Sequence, residues 1–380
     1  MSDRHRCWVE VDLDCLRNNL LWIRHHVGPD RKVMTVVKAD AYGHGLKQIA
    51  GHLMQNVTDC FGVANLEEAH SIRVTGKGWP ILMLGACLPK EITQAIQWGV
   101  QLTVSSIDDI KLIGEVADKL KLNVCVHLKV DTGMGRLGCS IESVKEILMT
   151  LKLNPRVRLK GIFTHFADVE NDHHFTISQR RRFRQAIRKL SSYCPLPELI
   201  HASNSGSLIY DRSIMGNMVR PGLMVYGVIP TGYRKPNGGL VRRMQPALSF
   251  HSRVGHLKFV GKGTTLSYGR TFTARREMKV ATITSGYGDG YPLNASNKAS
   301  VLIRGQRCPV VGRVTMDQTL VDVSKLREVL EGDQVTLIGC QGDETVAAVD
   351  LAKWSQTIPW QILTSITYRV PRIYRGTSAS

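Results

Sequence analysis

No stretch of about 18 consecutive apolar residues occurs in the 380-residue chain, so no membrane-spanning helix is expected. The amino terminus, MSDRHRCWVEVDLDCL, lacks the uninterrupted apolar core of a secretory leader, so none is expected either. The nine cysteines include no C-x-x-C pair. Odd in number and scattered, they argue against a disulfide framework or a zinc site and fit reduced thiols in a cytoplasm. Acidic residues are few: 32 Asp and Glu stand against 50 Lys and Arg, a net charge of +18. Such an excess raises the question of a polyanion partner. The densest cluster is Arg180, Arg181, Arg182, Arg184, Arg188 and Lys189, with Phe183, Ile187 and Leu190 at helical spacing between them. That pattern is an amphipathic helix with a solvated basic face. No nucleic-acid motif accompanies it, so no nucleic-acid partner is expected.

What is present is a two-beat rhythm. Strand-like KVMTVVK is followed by Leu46, Ile49, Leu53 and Val57 at helical spacing. DCFGVAN, PILMLG, QLTVS, LNVCVHLKVD, VRLKGIFTHF, PELIHASNS and MVRPGLMVYG repeat the beat up to residue 227, with helical patterns between them. One of these, Ile107, Ile110, Ile113, Val116 and Leu120, is a clean apolar stripe. Eight strands alternating with helices imply parallel units and a (β/α)8 TIM barrel. A doubly wound open sheet is the alternative, though it usually has fewer strands. After the glycine-rich link TGYRKPNGG come short β-rich runs with polar turns, as in a mainly antiparallel β-domain. One short helix is expected near VDLAKWS. The expected division is a barrel over residues 1–235 and a β-domain over 236–380. The opening strand, residues 8–14, has no barrel slot and is expected to join the β-domain.

In such barrels chemistry sits on loops at the carboxyl ends of the strands. Lys38, Arg136, His165, Ser205 and Arg220 all fall at or just after such ends. A lysine leaving a buried strand loses hydration, and its pKa falls toward a neutral amine able to form a Schiff base. From spacing alone, a lysine with its charge in water is the simpler reading. Arg136 sits on a glycine-rich turn, and its rigid fork suits a carboxylate. The small residues of HASNSGS open a helix, where amides and a hydroxyl favour an anion. The same residues also cap helices for stability alone. Arg220 lies in an apolar strand and must have an acceptor.

VVKADAYGHG and DTGMGRLG together resemble the alanine racemases, with motifs in order from WVEVDLD to VPRIY. The resemblance implies that Lys38 carries pyridoxal 5'-phosphate (PLP) and that Arg136 holds the substrate carboxylate. It places Lys129 where some members carry a carbamate, and His165 in a network behind the cofactor. It has Ser205, Gly222 and Leu223 cradle the phosphate, with Tyr42 and Tyr368 contacting it and Asn204 beside it. Arg220 would meet the pyridine nitrogen. In the β-domain, Tyr268 would be the second catalytic base, reaching the site of the other subunit in a head-to-tail homodimer. The Met316 amide would bind the substrate carboxylate, and Tyr287 would line the entrance. Thr315, where many members have cysteine, and Gly288, often alanine, are small departures. The implied activity is interconversion of L- and D-alanine, supplying D-alanine for peptidoglycan. The same chemistry on serine, a decarboxylase on the related scaffold, and a basic nucleic-acid-binding protein are the rivals.

Overall fold

The computed structural model describes residues 4–55, 58–211, 213–230, 232, 234–236 and 238–376. Val57, expected to extend an apolar stripe, Arg212, and Thr231, Tyr233 and Asn237 of the link lie outside them. Eight parallel strands close into a barrel: β2 (Lys32–Val36), β3 (Cys60–Val63), β4 (Ile81–Ala86), β5 (Gln101–Val104), β6 (Val124–Lys129), β7 (Val157–Phe163), β8 (Leu199–Asn204) and β9 (Met218–Arg220). Closure comes from Lys32 and Val33 of β2 pairing with Met218 and Val219 of β9. The helices between them carry apolar stripes against the barrel. In Ile107–Leu120 the buried residues are Ile110, Ile113, Gly114 and Ala117, and Ser106 and Asp109 form a capping box at its start. The basic helix, His173–Ser191, buries Phe183, Ala186 and Leu190 and turns most of its arginines outward. Among the described residues, no helix is long and apolar enough to cross a membrane.

The opening strand β1 (Cys7–Asp12) stays outside the barrel. It pairs antiparallel with β10 (Leu248–Val260) and parallel with the closing strand Arg372–Arg375. Asp12 ends β1 and caps the helix Leu13–Val27 by accepting from the Cys15 N–H (2.9 Å). The other strands of this sheet pair antiparallel around β10, and Thr265–Leu266 and Phe272–Thr273 form a separate two-stranded ribbon. Beyond the helix expected near VDLAKWS, found at Ala348–Trp354, stands a second one, Pro359–Thr364. Pro359 in its first turn is the signal that marks it in the sequence. This helix brings Ile358 and Trp360 to the barrel mouth.

β1 is anchored by Trp8, which is fully buried. Its ring stacks on His251 at 5.3 Å and lies 5.0 Å from the Arg253 guanidinium, and its Nε1–H donates to Glu10. Trp8→Ala is expected to cost about 3–5 kcal/mol in urea denaturation, the range for emptying a buried aromatic site.

Candidate active site

A cavity of about 910 Å³ opens at the carboxyl ends of the barrel strands. Lys38, Tyr42, Lys129, Arg136, His165, Asn204, Ser205, Arg220, Gly222 and Leu223 all line it. Tyr268, Tyr287, Met316 and Tyr368 do not.

Lys38 follows β2 by two residues and leads a turn of unusual hand. Ala39, Asp40, Ala41 and Tyr42 have φ of 52°, 53°, 52° and 54°. Each such residue without glycine's freedom costs about 1–2 kcal/mol. The turn carries the Tyr42 ring inward, tilted against Tyr226 at 5.0 Å. The Lys38 pKa lies below the ordinary lysine value, chiefly through burial and then through the Arg136 charge, with Glu68 opposing.

Arg136 is presented by the turn after β6. Asp131 Oδ1 accepts the N–H groups of Gly133 (2.9 Å), Met134 (2.9 Å) and Gly135 (3.2 Å), folding that turn tightly. Lys129 ends β6. Burial, and then the charges of Arg136 and Arg220, push its ammonium down to about 8. The Phe163 ring lies beneath two cations, with Lys129 Nζ at 5.5 Å and Arg220 Cζ at 5.3 Å from its centroid.

Arg220 is buried, and burial pushes its pKa down to about 9. It stays charged at neutral pH because acceptors surround it. Nη2 donates to the carbonyls of Thr164 (2.7 Å) and Ala202 (3.1 Å), and Nη1 donates to His201 Nδ1 (2.9 Å). That last bond fixes a chain of tautomers. His201 accepts at Nδ1, so its Nε2–H donates to His127 Nδ1 (2.9 Å). His127 Nε2–H then donates to Gln101 (2.8 Å). The Arg220 Nε–H has no acceptor among the described residues. His165 stands at 3.5 Å from Nη2. Burial, and then the Arg220 charge, hold His165 and His201 neutral, well below the ordinary histidine value.

At the neighbouring ends of β8 and β9, Ser205 Oγ accepts from the Gly222 N–H (2.9 Å), which leaves the serine proton free to donate. A Cβ at Gly222 would meet the Tyr42 hydroxyl oxygen at 2.4 Å, so only glycine leaves the hollow open. Asn204 caps the helix Ser205–Tyr210 by accepting from the Ser207 N–H (2.9 Å), a structural duty. A serine hydroxyl, a tyrosine hydroxyl and a hollow over glycine fit a phosphate group, and the spare Arg220 N–H fits a ring nitrogen. Sequence reasoning missed Phe163, His127, Gln101, Glu68 and Trp360. Of these, only the polar His127 amid the apolar residues of β6 leaves a visible signal.

The four β-domain residues form a separate, exposed group. Tyr268 is 71% exposed on a turn whose Ser267, Gly269 and Arg270 have φ of 63°, 70° and 50°. Tyr368 is 99% exposed and lies on the β-domain rather than at a cavity wall of its own chain. Hydrogen bonds tie the group into one surface. Ser267 Oγ donates to the Arg313 carbonyl (2.6 Å), and the Gly288 N–H donates to the Met316 carbonyl (2.8 Å). Thr367 Oγ1 donates to the Gly288 carbonyl (2.8 Å), and Arg369 bridges Asp289 and Asp317. Thr315 turns its hydroxyl to the Gln318 carbonyl (2.7 Å).

The buried histidines give the protein an acid limit. Burial lowers His44 to about 4 and His127 to about 3, and His165 and His201 are lowered as well. Unfolded histidine titrates near 6.5, so below that pH the unfolded chain binds more protons than the folded one. Stability is therefore intact above about 6.5 and falls on acidification, by up to about 1.4 kcal/mol per pH unit for each such histidine. Melting temperatures taken from pH 7 down to 4.5 are expected to fall, and His127→Gln is expected to flatten that slope.

Comparison with known proteins agrees with this geometry. Residues 11–230 match the family model described as alanine racemase, N-terminal domain, and residues 247–374 match alanine racemase, C-terminal domain. An alanine racemase of Nostoc sp. is 37% identical over 372 residues, covering 97% of this chain and 95% of the relative. One from Halothermothrix orenii is 37% identical, covering 97% of each. The crystal structure of alanine racemase from Bacillus anthracis with bound L-Ala-P aligns with a TM-score of 0.89 at 34% identity, over 98% of this chain and 96% of that one. The alanine racemase of Streptomyces coelicolor aligns with a TM-score of 0.92 at 28% identity, over 98% and 99%. Barrel, β-domain and cavity residues together make the chain a member of the alanine racemase family.

Proposed function

We propose that the protein interconverts L-alanine and D-alanine with PLP as its cofactor, supplying D-alanine for peptidoglycan. One observation carries the reading: ten residues from the ends of five barrel strands converge on one cavity rich in cations. Lys38, with its lowered pKa, would bind the cofactor's carbonyl carbon. Ser205, Tyr42 and the amides around Gly222 and Leu223 would hold its phosphate, and Arg220 would donate to its ring nitrogen. When bound, PLP supplies the electron sink that acidifies the α C–H of the amino acid. Arg136 binds and orients the substrate carboxylate through its fork. A carbamate on Lys129 would place an anion beside Arg136 in place of a cation. Arg220 keeps its own proton, so a ring nitrogen facing it would stay neutral and the bound group would supply a weaker electron sink.

Inversion requires a proton donor and acceptor on each face of the α-carbon, because a single base tends to return the proton where it found it. Lys38 serves D-alanine. Tyr268 of the partner subunit serves L-alanine from the other face, in a head-to-tail homodimer whose sites both subunits complete. The exposed group around Tyr268, Tyr287 and Met316 supports this arrangement, and Tyr368 would contact the phosphate. We divide the chain into a barrel over 1–235 and a β-domain over 236–380, with β1 belonging to the latter. Nine free cysteines accord with a reducing, cytoplasmic setting.

The test is a racemase assay with added PLP across small amino acids, serine included. Lys38→Ala is expected to abolish both racemisation and the visible absorbance of lysine-bound cofactor. Tyr268→Ala is expected to keep that absorbance and lose about 10²–10⁴-fold in rate, the usual contribution of a positioned acid or base. L and D forms are equally stable, so the loss must appear in both directions. Exchange of the α-proton of D-alanine with deuterium should persist, since Lys38 still stands on that face. Mixing and reassociating the two inactive variants tests the shared site. Random pairing of subunits restores one complete site per mixed dimer, about a quarter of wild-type activity. No restoration, with dimers shown to exchange, would remove the shared-site assignment.

A further inference from the structure

The turn behind Lys38 runs against the preference of its own residues. Ala39, Asp40, Ala41 and Tyr42 all sit in the left-handed region, and none of them is glycine. Backbone bonds inside the turn, from the Ala41 N–H to the Val37 carbonyl (2.9 Å) and from the Gly43 N–H to the Ala39 carbonyl (3.0 Å), are available to a right-handed turn as well. What selects this hand lies outside it. Ala39, the first residue of the run, donates its N–H to Glu68 Oε1 (2.6 Å). The other oxygen, Oε2, accepts the Ala64 N–H (2.7 Å) on the loop after β3. Glu68 is itself fixed, three residues into the helix Leu66–Thr75, where its N–H donates to the capping Asn65 (2.9 Å). One carboxylate thus joins the loops after two adjacent barrel strands.

We propose that Glu68 is the positioning residue for Lys38, its two carboxylate oxygens pinning the left-handed turn that aims the amine into the cavity. The charge of Glu68 matters beside its geometry. Lys38 faces Arg136, the Lys129 ammonium and the neutral His165, and Glu68 is the acidic group acting on it in the sense that favours the ammonium. Without Glu68 the amine would be free to swing with a relaxed turn, and its pKa would fall further. Glu68 is not among the residues that line the cavity, so it acts through Lys38. Its catalytic consequence rests on the racemase reading, whereas its hold on the turn does not.

Three variants separate geometry from charge. Glu68→Gln keeps the length, removes the charge, and can accept only one of the two N–H bonds. Glu68→Asp keeps the charge but is one methylene too short to span both amides. Glu67→Gln alters the exposed neighbouring carboxylate and serves as the control. The full-length chain, freed of cofactor with hydroxylamine, is acetylated at a series of pH values. The modification rate of Lys38 is then followed by peptide mass spectrometry. Glu68→Gln is expected to lower the Lys38 midpoint by about 0.5–1 pH unit, the effect of losing a partly exposed opposite charge. Glu68→Asp is expected to leave that midpoint near wild type. Both are expected to lose about 10–100-fold in the kcat of alanine racemisation, with KM little changed, since misplacing a reacting group costs that much. Glu67→Gln should match wild type throughout. An unmoved midpoint in Glu68→Gln, full kcat in both Glu68 variants, or losses that track a fall in melting temperature would each overturn the proposal. A midpoint shift in a chain that does not racemise alanine would sustain the positioning role and reject the racemase reading instead.

Discussion

The site depends on an electrostatic crowding that the fold alone does not relieve. Lys38, Lys129, Arg136 and Arg220 face one cavity, and the carboxylate among its lining residues, Glu170, is held above its usual pKa by burial and by the Asp168 charge. Cations gathered at low dielectric repel strongly unless anions lie between them. The protein answers partly by neutralising what it can. Lys38 and Lys129 are pushed toward the amine, and the histidines lose their protons. Arg220 cannot follow and is given carbonyls and an imidazole nitrogen instead. The rest of the imbalance calls for anionic ligands, and a phosphate together with a carboxylate supplies charges of the right sign.

From this crowding the order of the inner network follows. A positively charged Arg220 can only donate, so His201 must accept at Nδ1 and pass its proton outward to His127 and Gln101. Any protonation along that chain would set a donor against a donor. Phe163 packs against the same wall, parallel to His201 at 4.7 Å, and gives Lys129 and Arg220 a π face in place of water. Packing and charge therefore constrain each other here: the apolar ring both excludes solvent and partly compensates for its loss.

Much of the architecture is visible in the chain because period and chemistry coincide. Buried parallel strands appear as short apolar runs, amphipathic helices as stripes, and the functional residues as polar letters at the ends of those runs. The spare opening strand could be assigned by counting alone, and its pairing with β10 is what the structure displays. The left-handed run after Lys38 is different. Alanine, aspartate and tyrosine carry no local signal for that hand, and alanine argues for the opposite one. The conformation is imposed by Glu68, nearly thirty residues away, and by the close approach of the Leu363 carbonyl to Gly43, where a Cβ would sit at 2.2 Å. Tertiary contacts of that kind cannot be read from a window of sequence. For the same reason nothing in the sequence distinguishes Glu68 from its neighbour Glu67 in the first turn of the helix, or Trp360 from any other aromatic.

The surroundings of Arg220 also separate the rival chemistries. A decarboxylase on a related barrel would place an acid at the ring nitrogen, drawing a proton onto it and deepening the electron sink. Here the side chain at that end of β9 is a guanidinium, and among the described residues no carboxylate forms an ion pair with it. Removing it in favour of an acid would strand the carbonyls of Thr164 and Ala202 and the acceptor nitrogen of His201 without donors, all of them buried. The choice of a guanidinium over an acid at this position is thus built into the barrel wall through its hydrogen bonds. On the proposed reading, the shallower sink that a neutral ring would supply suits a reaction whose product differs from its substrate only in the face that holds the proton. Tyr268, on the same reading, would complete that logic: the cavity holds an amine of lowered pKa, and the tyrosine proposed for the other face stands exposed on the β-domain, outside the cavity of its own chain.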